Sequence, residues 1–218
     1  SDIFGKSTKS KTDLKLISST GEIKNISIKK STSGQVYLIS VDRFIKGFEY
    51  HYSEIPEGVK TILKLMFSFD ENEILGILDN HPKLSYTKTA IRDYEKRKKR
   101  LVWDSLTTIH SGLANETLNW FEINLGNIAD FCFSRGLAIS KDNWSDYVWY
   151  KNILDGESDI DYIISCKDIA SKVACNTNKD VKPGTSLGGT TIQFPFGFLQ
   201  WHLKSMQFHH QFDKINKL

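Results

Sequence analysis

Long apolar runs are missing from this chain. The most continuous, Ile62 to Phe69, is interrupted by Lys64 and stops far short of the ~20 residues that a membrane span requires. Cysteine is scarce: Cys132, Cys166 and Cys175 make an odd set whose spacings of 34 and 9 fit neither a disulfide framework nor a zinc pattern, so all three are read as structural thiols. With 4 prolines in 218 residues and no Gly-, Ser- or Pro-rich linker or internal repeat, nothing divides the chain. A charged segment followed by an apolar one is also lacking at the start, where Lys6, Lys9 and Lys11 run straight into an alternating pattern. A soluble, cytoplasmic protein is the expectation.

What is present is ordinary globular composition, 39% apolar and 25% charged. A chain of this length buries roughly 70% of its unfolded surface, so one domain over residues 1–218 is expected to hold without a staple. Net charge is only +3, but it is distributed in blocks: +4 over residues 1–40, −4 over 41–82, +6 over 83–100, −7 over 101–165 and +4 over 166–218. If the basic blocks share a face they make a footprint for a polyanion; if they do not, they are solvated surface.

The first strands are legible from period two. Thr12 to Ile17 alternates, Ser18-Ser19-Thr20-Gly21 turns, and Ile23 to Ile28 returns, with Ser27 and Lys29 on one face and Ile26 and Ile28 on the other. A third strand, Gln35 to Ile39, follows. Helical spacing then takes over through about residue 110, with Val41, Phe44, Ile45 and Phe48 on one stripe and Val59, Ile62, Leu63 and Met66 on the next, after Pro56. Asp70 and Glu73 form a capping-box pattern before a short helix that His81-Pro82 closes. A further helix is expected over Thr117 to Ser134, stopped by Gly136. Trp144 to Ile164 is acidic and aromatic, with a short strand at Tyr162 to Ile164, and Thr190 to Phe198 and Ser205 to Phe212 alternate like strands. On the last of these, adjacent His209 and His210 face opposite sides, which argues against a shared metal site with His202.

The constellation with chemical content is Asp13 facing, across the hairpin, Ser27 and Lys29, all taken as exposed strand positions. A carboxylate oxygen is the hard ligand Mg²⁺ demands, the metal neutralises charge developing on a phosphate, and a lysine orients or deprotonates the attacking water. The same residues also suit an exposed cross-strand ion pair worth less than ~1 kcal/mol. Phosphate loops and nucleophile elbows are absent: Gly184-Thr185-Ser186-Leu187-Gly188-Gly189 has no following Lys-Ser/Thr.

The run Lys9-Ser10-Lys11-Thr12-Asp13-Leu14 followed by Ile26-Ser27-Ile28-Lys29-Lys30-Ser31 resembles the Asp…(D/E)XK core of the PD-(D/E)XK nucleases, and within them small type II restriction endonucleases of the MspI kind and their relative that cuts GCGC. Leu118-Asn119-Trp120 through Ala129, Arg135 and Gly136 is similar to the family's central helix. Gly189-Thr190-Thr191-Ile192-Gln193 and Met206-Gln207-Phe208-His209 are similar to its C-terminal strands. Ser27 departs from the family, which carries a carboxylate or amide at that position.

The resemblance implies an α/β fold, a restriction-endonuclease-like mixed central β-sheet flanked by helices. It implies a Mg²⁺-dependent type II restriction endonuclease that cuts double-stranded DNA at a short sequence. Asp13 and the Ile28 carbonyl would bind the metal, Lys29 would activate water and Ser27 would hold a water on the metal. Such enzymes place one or two helices and often a further acid before the aspartate. The chain is therefore expected to be the C-terminal catalytic part of a larger protein, or to draw that acid from Glu22, Asp42 or Glu49. Lys6, Lys9, Lys11, Lys30 and the run Lys96 to Arg100 are expected at phosphates. Ser31, Gln35, Gln193, Gln200, Lys204, Gln207 and His209 are expected at base edges, where amides pair with adenine and Lys with guanine. A homodimer and a cognate DNA methyltransferase complete the expected partners, in a bacterial cytoplasm. A repair or recombination nuclease, an inactive DNA-binding module and a protein-interaction domain are the alternatives.

Overall fold

A computed structural model describes residues 1–7, 10–68, 71–80, 101–151, 160–176, 180–203 and 205–218. The hairpin forms as its alternation predicts: β1 (Leu14–Ile17) and β2 (Ile23–Lys29) pair antiparallel with Leu14 opposite Ile26, and Gly21 supplies the turn at φ +82°. Beyond it come β3 (Ser33–Ile39), α1 (Val41–His51), α2 (Glu57–Phe67) and α3 (Glu71–Asn80). In α1 and α2 the predicted stripes are the buried ones. Asp70, the first residue of the capping-box pattern, lies outside the described residues; Glu73 accepts from Ser68 Oγ at 2.6 Å and from Lys64 Nζ at 2.8 Å.

The central helix begins earlier than its periodicity indicated. α4 (Trp103–Ile123) bends at His110, whose backbone leaves the helical region while its Nδ1 accepts from Leu113 N at 3.0 Å and restarts the helix. α5 (Leu125–Asp130) follows and widens into a single π-turn, Phe131–Arg135, which Gly136 ends at φ +56°. The remaining elements are β4 (Tyr147–Lys151), β5 (Asp161–Ser165), α6 (Cys166–Cys175), β6 (Lys182–Pro183), β7 (Thr191–Phe194), β8 (Gly197–His202), β9 (Ser205–Gln211) and α7 (Phe212–Ile215).

The strands form two sheets. The first, in the order β1-β2-β4-β5, is mixed, because β4 lies parallel to β2 with Ser27 beside Val148 and Lys29 beside Tyr150. The second, in the order β3-β9-β8-β7-β6, is antiparallel throughout. The mixed sheet with flanking helices is thus as expected, and the strand after the hairpin crosses into the second sheet instead of extending the first. One apolar core links both sheets to the helices. Within it Phe44 of α1 meets Phe131 edge-on at 5.5 Å and Phe208 of β9 at 5.6 Å, while Phe121 of α4 meets Phe194 of β7 at 5.3 Å. Cys132 and Cys166 are buried free thiols; Cys175 is exposed at the end of α6, so it is not a packing residue. Among the described residues no helix is long and apolar enough to cross a membrane.

Candidate active site

Asp13 sits one residue before β1, where the ladder begins. Its amide donates to the Ile26 carbonyl at 2.8 Å, and its Oδ2 accepts from the Ile28 amide at 2.7 Å and from Ser27 Oγ at 3.3 Å. Strand alternation sends the N–H and C=O of Ile28 to the same side, so the Ile28 carbonyl also faces the Asp13 edge of β2. Asp13 itself is exposed. Ser27 is not: it is 5% exposed, because β4 lies alongside β2 and brings buried Val148 against it, and the expectation of an open strand position is corrected. Lys29 is half-buried beside Tyr150, and burial holds its ammonium below the ordinary lysine range against the opposing pull of Asp13 and Cys166.

The donors gathered here are hard oxygens: one carboxylate, one backbone carbonyl and one hydroxyl. That set fits a Mg²⁺ ion that keeps most of its own water and takes one or two carboxylates from the protein. Among the described residues no three His, Cys, Asp or Glu side chains gather as a metal cluster. The acids considered as a further ligand are engaged elsewhere, Glu22 with Lys24 at 2.7 Å, Asp42 with Lys64 at 3.5 Å and Glu49 with Lys60 at 2.8 Å.

The expected phosphate contacts divide. Lys6 and Lys30 are exposed. Lys11 is turned inward, its Nζ 2.6 Å from the Cys132 carbonyl and 3.7 Å from the centre of the Tyr37 ring, and burial pushes its pKa down to about 7. Lys9 and the run Lys96 to Arg100 lie outside the described residues, as does Lys204, which was expected at a base edge.

The polar residues expected at base edges meet on one face of the second sheet, as period two requires. Gln207 Nε2 donates to Gln35 Oε1 at 3.0 Å, Gln200 Nε2 donates to Gln207 Oε1 at 2.9 Å and lies 3.1 Å from His209 Nε2, so one chain of amides crosses β3, β9 and β8. The His209 ring stacks on Phe198, with centroids 4.4 Å apart. Gln193 stands further along this face, bonded to Thr191 Oγ1 at 3.3 Å and approached by Lys214 at 3.4 Å. Ser31, at the start of the loop into β3, donates to the Ser33 carbonyl.

His210 points the other way, as the alternation indicated, and its surroundings were not visible in the sequence. It is buried against Tyr150, with Nδ1 3.2 Å from the tyrosine hydroxyl, and burial, with Lys29 and His209 adding to it, pushes its pKa down to about 3. Between pH 6.5 and 3 an unfolded imidazole takes up a proton that the folded one refuses, so stability falls as pH drops through that window. His210→Gln should flatten this decline by roughly 2 kcal/mol between about pH 6.5 and 4.5, measured by urea unfolding. Parallel pH profiles for the two proteins would refute it.

The fold is that of restriction endonucleases. A crystal structure of restriction endonuclease MspI in complex with its cognate DNA aligns with a TM-score of 0.50 and 14% identity, over 96% of this chain and 68% of that one. No protein-family model and no curated protein sequence matches the chain.

Proposed function

We propose that this protein is a Mg²⁺-dependent type II restriction endonuclease, hydrolysing phosphodiester bonds of double-stranded DNA at a short specific sequence. The observation that carries the reading is the bond from the Ile28 amide to Asp13, which ties the carboxylate to the strand bearing Lys29 within a restriction-endonuclease-like fold. Asp13 and the Ile28 carbonyl would hold Mg²⁺, which when bound offsets the negative charge that develops on the phosphate. Ser27 keeps the carboxylate oriented by donating to it. Lys29, whose basicity is lowered by burial, orients the attacking water and accepts its proton. Double-stranded DNA is the proposed partner. A homodimer would offer the same site to both strands of a symmetric sequence, and a cognate methyltransferase would protect the cell's own copies of it.

Incubating the protein with phage DNA and Mg²⁺ and sequencing the ends tests this. Ends that share one short sequence are expected. Cleavage confined to nicks, mismatches or junctions would make it a repair or recombination nuclease, and binding without cleavage in either Mg²⁺ or Mn²⁺ would leave a DNA-binding module. The amide chain gives a second test. Gln207 is buried within the chain, its amide bonded to Gln200 and Gln35, so Gln200→Ala and Gln35→Ala should each relax preference at one base pair by roughly 1 to 3 kcal/mol, seen by profiling cleaved sites. Retention of the parent's site by both variants would place base reading elsewhere.

A further inference from the structure

We infer that Lys11 is a positioning residue for Asp13: its ammonium, seated on the end of the π-turn, anchors the segment that delivers the carboxylate to β2. The inference rests on the nuclease reading for its effect on cleavage, and on geometry alone for the anchoring.

The seat exists because a helix end leaves carbonyls without amide partners and carries partial negative charge. Gly136 N closes the π-turn on the Phe131 carbonyl at 2.8 Å, and the chain then turns away, so the next carbonyl in the series, that of Cys132, is taken by Lys11 Nζ at 2.6 Å. The second partner has a similar origin. β3 is irregular against β9 between Gln35 and Tyr37, and the Val36 carbonyl at that irregularity lies 3.4 Å from Lys11 Nζ. The Tyr37 ring closes the seat from the side. Gly136 leaves room for it: a Cβ there would stand 3.1 Å from Lys11 Cε and 2.8 Å from the Tyr37 hydroxyl.

The backbone around Lys11 is tethered as well. Lys11 N donates to the Asn143 carbonyl at 3.2 Å, and Thr12 Oγ1 to that of Trp144 at 3.4 Å. Two residues later Asp13 has a single ladder bond of its own, from its amide to Ile26, because strand pairing begins at Leu14. The Asp13 backbone therefore depends on the preceding segment for its place, and with it the reach of the carboxylate to Ile28 N and Ser27 Oγ. Displacing a catalytic group by about 1 Å costs on the order of 10²-fold in rate.

Lys11→Met keeps the apolar stem and removes the ammonium. Hydrogen exchange followed by NMR should show the Ile28 amide, whose acceptor is Asp13, losing at least tenfold in protection while amides inside β4 such as Val148 keep theirs. Cleavage should fall on the order of 10²-fold, with DNA affinity in Ca²⁺ and its salt dependence unchanged. Gly136→Ala retains the ammonium but sets a methyl against the Tyr37 ring and the Lys11 stem, at a φ of +56° that itself favours glycine, and it should reproduce the Ile28 loss in smaller degree. It also serves as the second variant if Lys11→Met does not fold. Unchanged Ile28 protection overturns the inference, as does a salt slope lowered by about one with Ile28 unaffected, which would make Lys11 a phosphate contact. Because the exchange measurement needs no cleavage, a parent protein that cuts nothing would refute the nuclease reading and leave the anchoring decided on its own.

Discussion

Asp13→Ala and Lys29→Ala should each lower DNA cleavage by ~10²- to 10⁴-fold or more while leaving DNA binding in Ca²⁺ nearly intact. The two losses have different causes. Asp13 is the exposed carboxylate of the site, and truncating it would remove the ligand proposed to hold Mg²⁺. Lys29 is half-buried, and its ammonium is destabilised by that burial, which suits it to give and take a proton beside a water molecule. Neither change cuts into the apolar core. The fold should therefore persist, and melting temperature together with DNA binding measured in Ca²⁺ buffer reports that it does. Cleavage at the parent rate after either substitution would remove that residue from the chemistry.

Ser27→Glu should make the stability of the protein depend on Mg²⁺. Because Ser27 is 5% exposed and 3.3 Å from Asp13, a glutamate there brings a second carboxylate into a covered site. Without a divalent ion the two like charges repel and the new one is partly desolvated, with Lys29, two residues along the same strand face, offsetting only part of the cost. A loss on the order of 2 to 3 kcal/mol, or roughly 5 to 10 °C in Tm, is expected in chelator. Mg²⁺ at about a hundred times its dissociation constant should restore about 2.7 kcal/mol, because the ion binds the folded protein alone. The parent, with one carboxylate, should respond far less. An equal loss of Tm with and without Mg²⁺ would show that position 27 does not face a metal.

Much of the site was readable because its residues are close in sequence and its elements are local. The alternation of Thr12 to Ile17 and Ile23 to Ile28 determined the hairpin, and with it the juxtaposition of Asp13 with the strand carrying Lys29. The same period separated His209 from His210, whereas the expected strand Thr190 to Phe198 is split into β7 and β8 by a turn at Pro195-Phe196, and Gln200 meets Gln207 only through the β8–β9 pairing. The stripes of α1 and α2 came from the spacing of their own apolar residues. Tertiary structure decided the rest. β4 was not recognised because Tyr147-Val148-Trp149-Tyr150 is apolar on both faces, as a strand inside a sheet tends to be, and so shows no period of two. Yet β4 is what buries Ser27 and sets Tyr150 beside Lys29. β3 continues the hairpin in sequence but pairs with β9, some 170 residues on, and that long-range register alone brings Gln35 to Gln207. Lys11 was expected at a phosphate, together with Lys6 and Lys9. Its inward turn depends on a carbonyl that a π-turn leaves over 121 residues away, and no local pattern encodes a partner that only the folded chain creates.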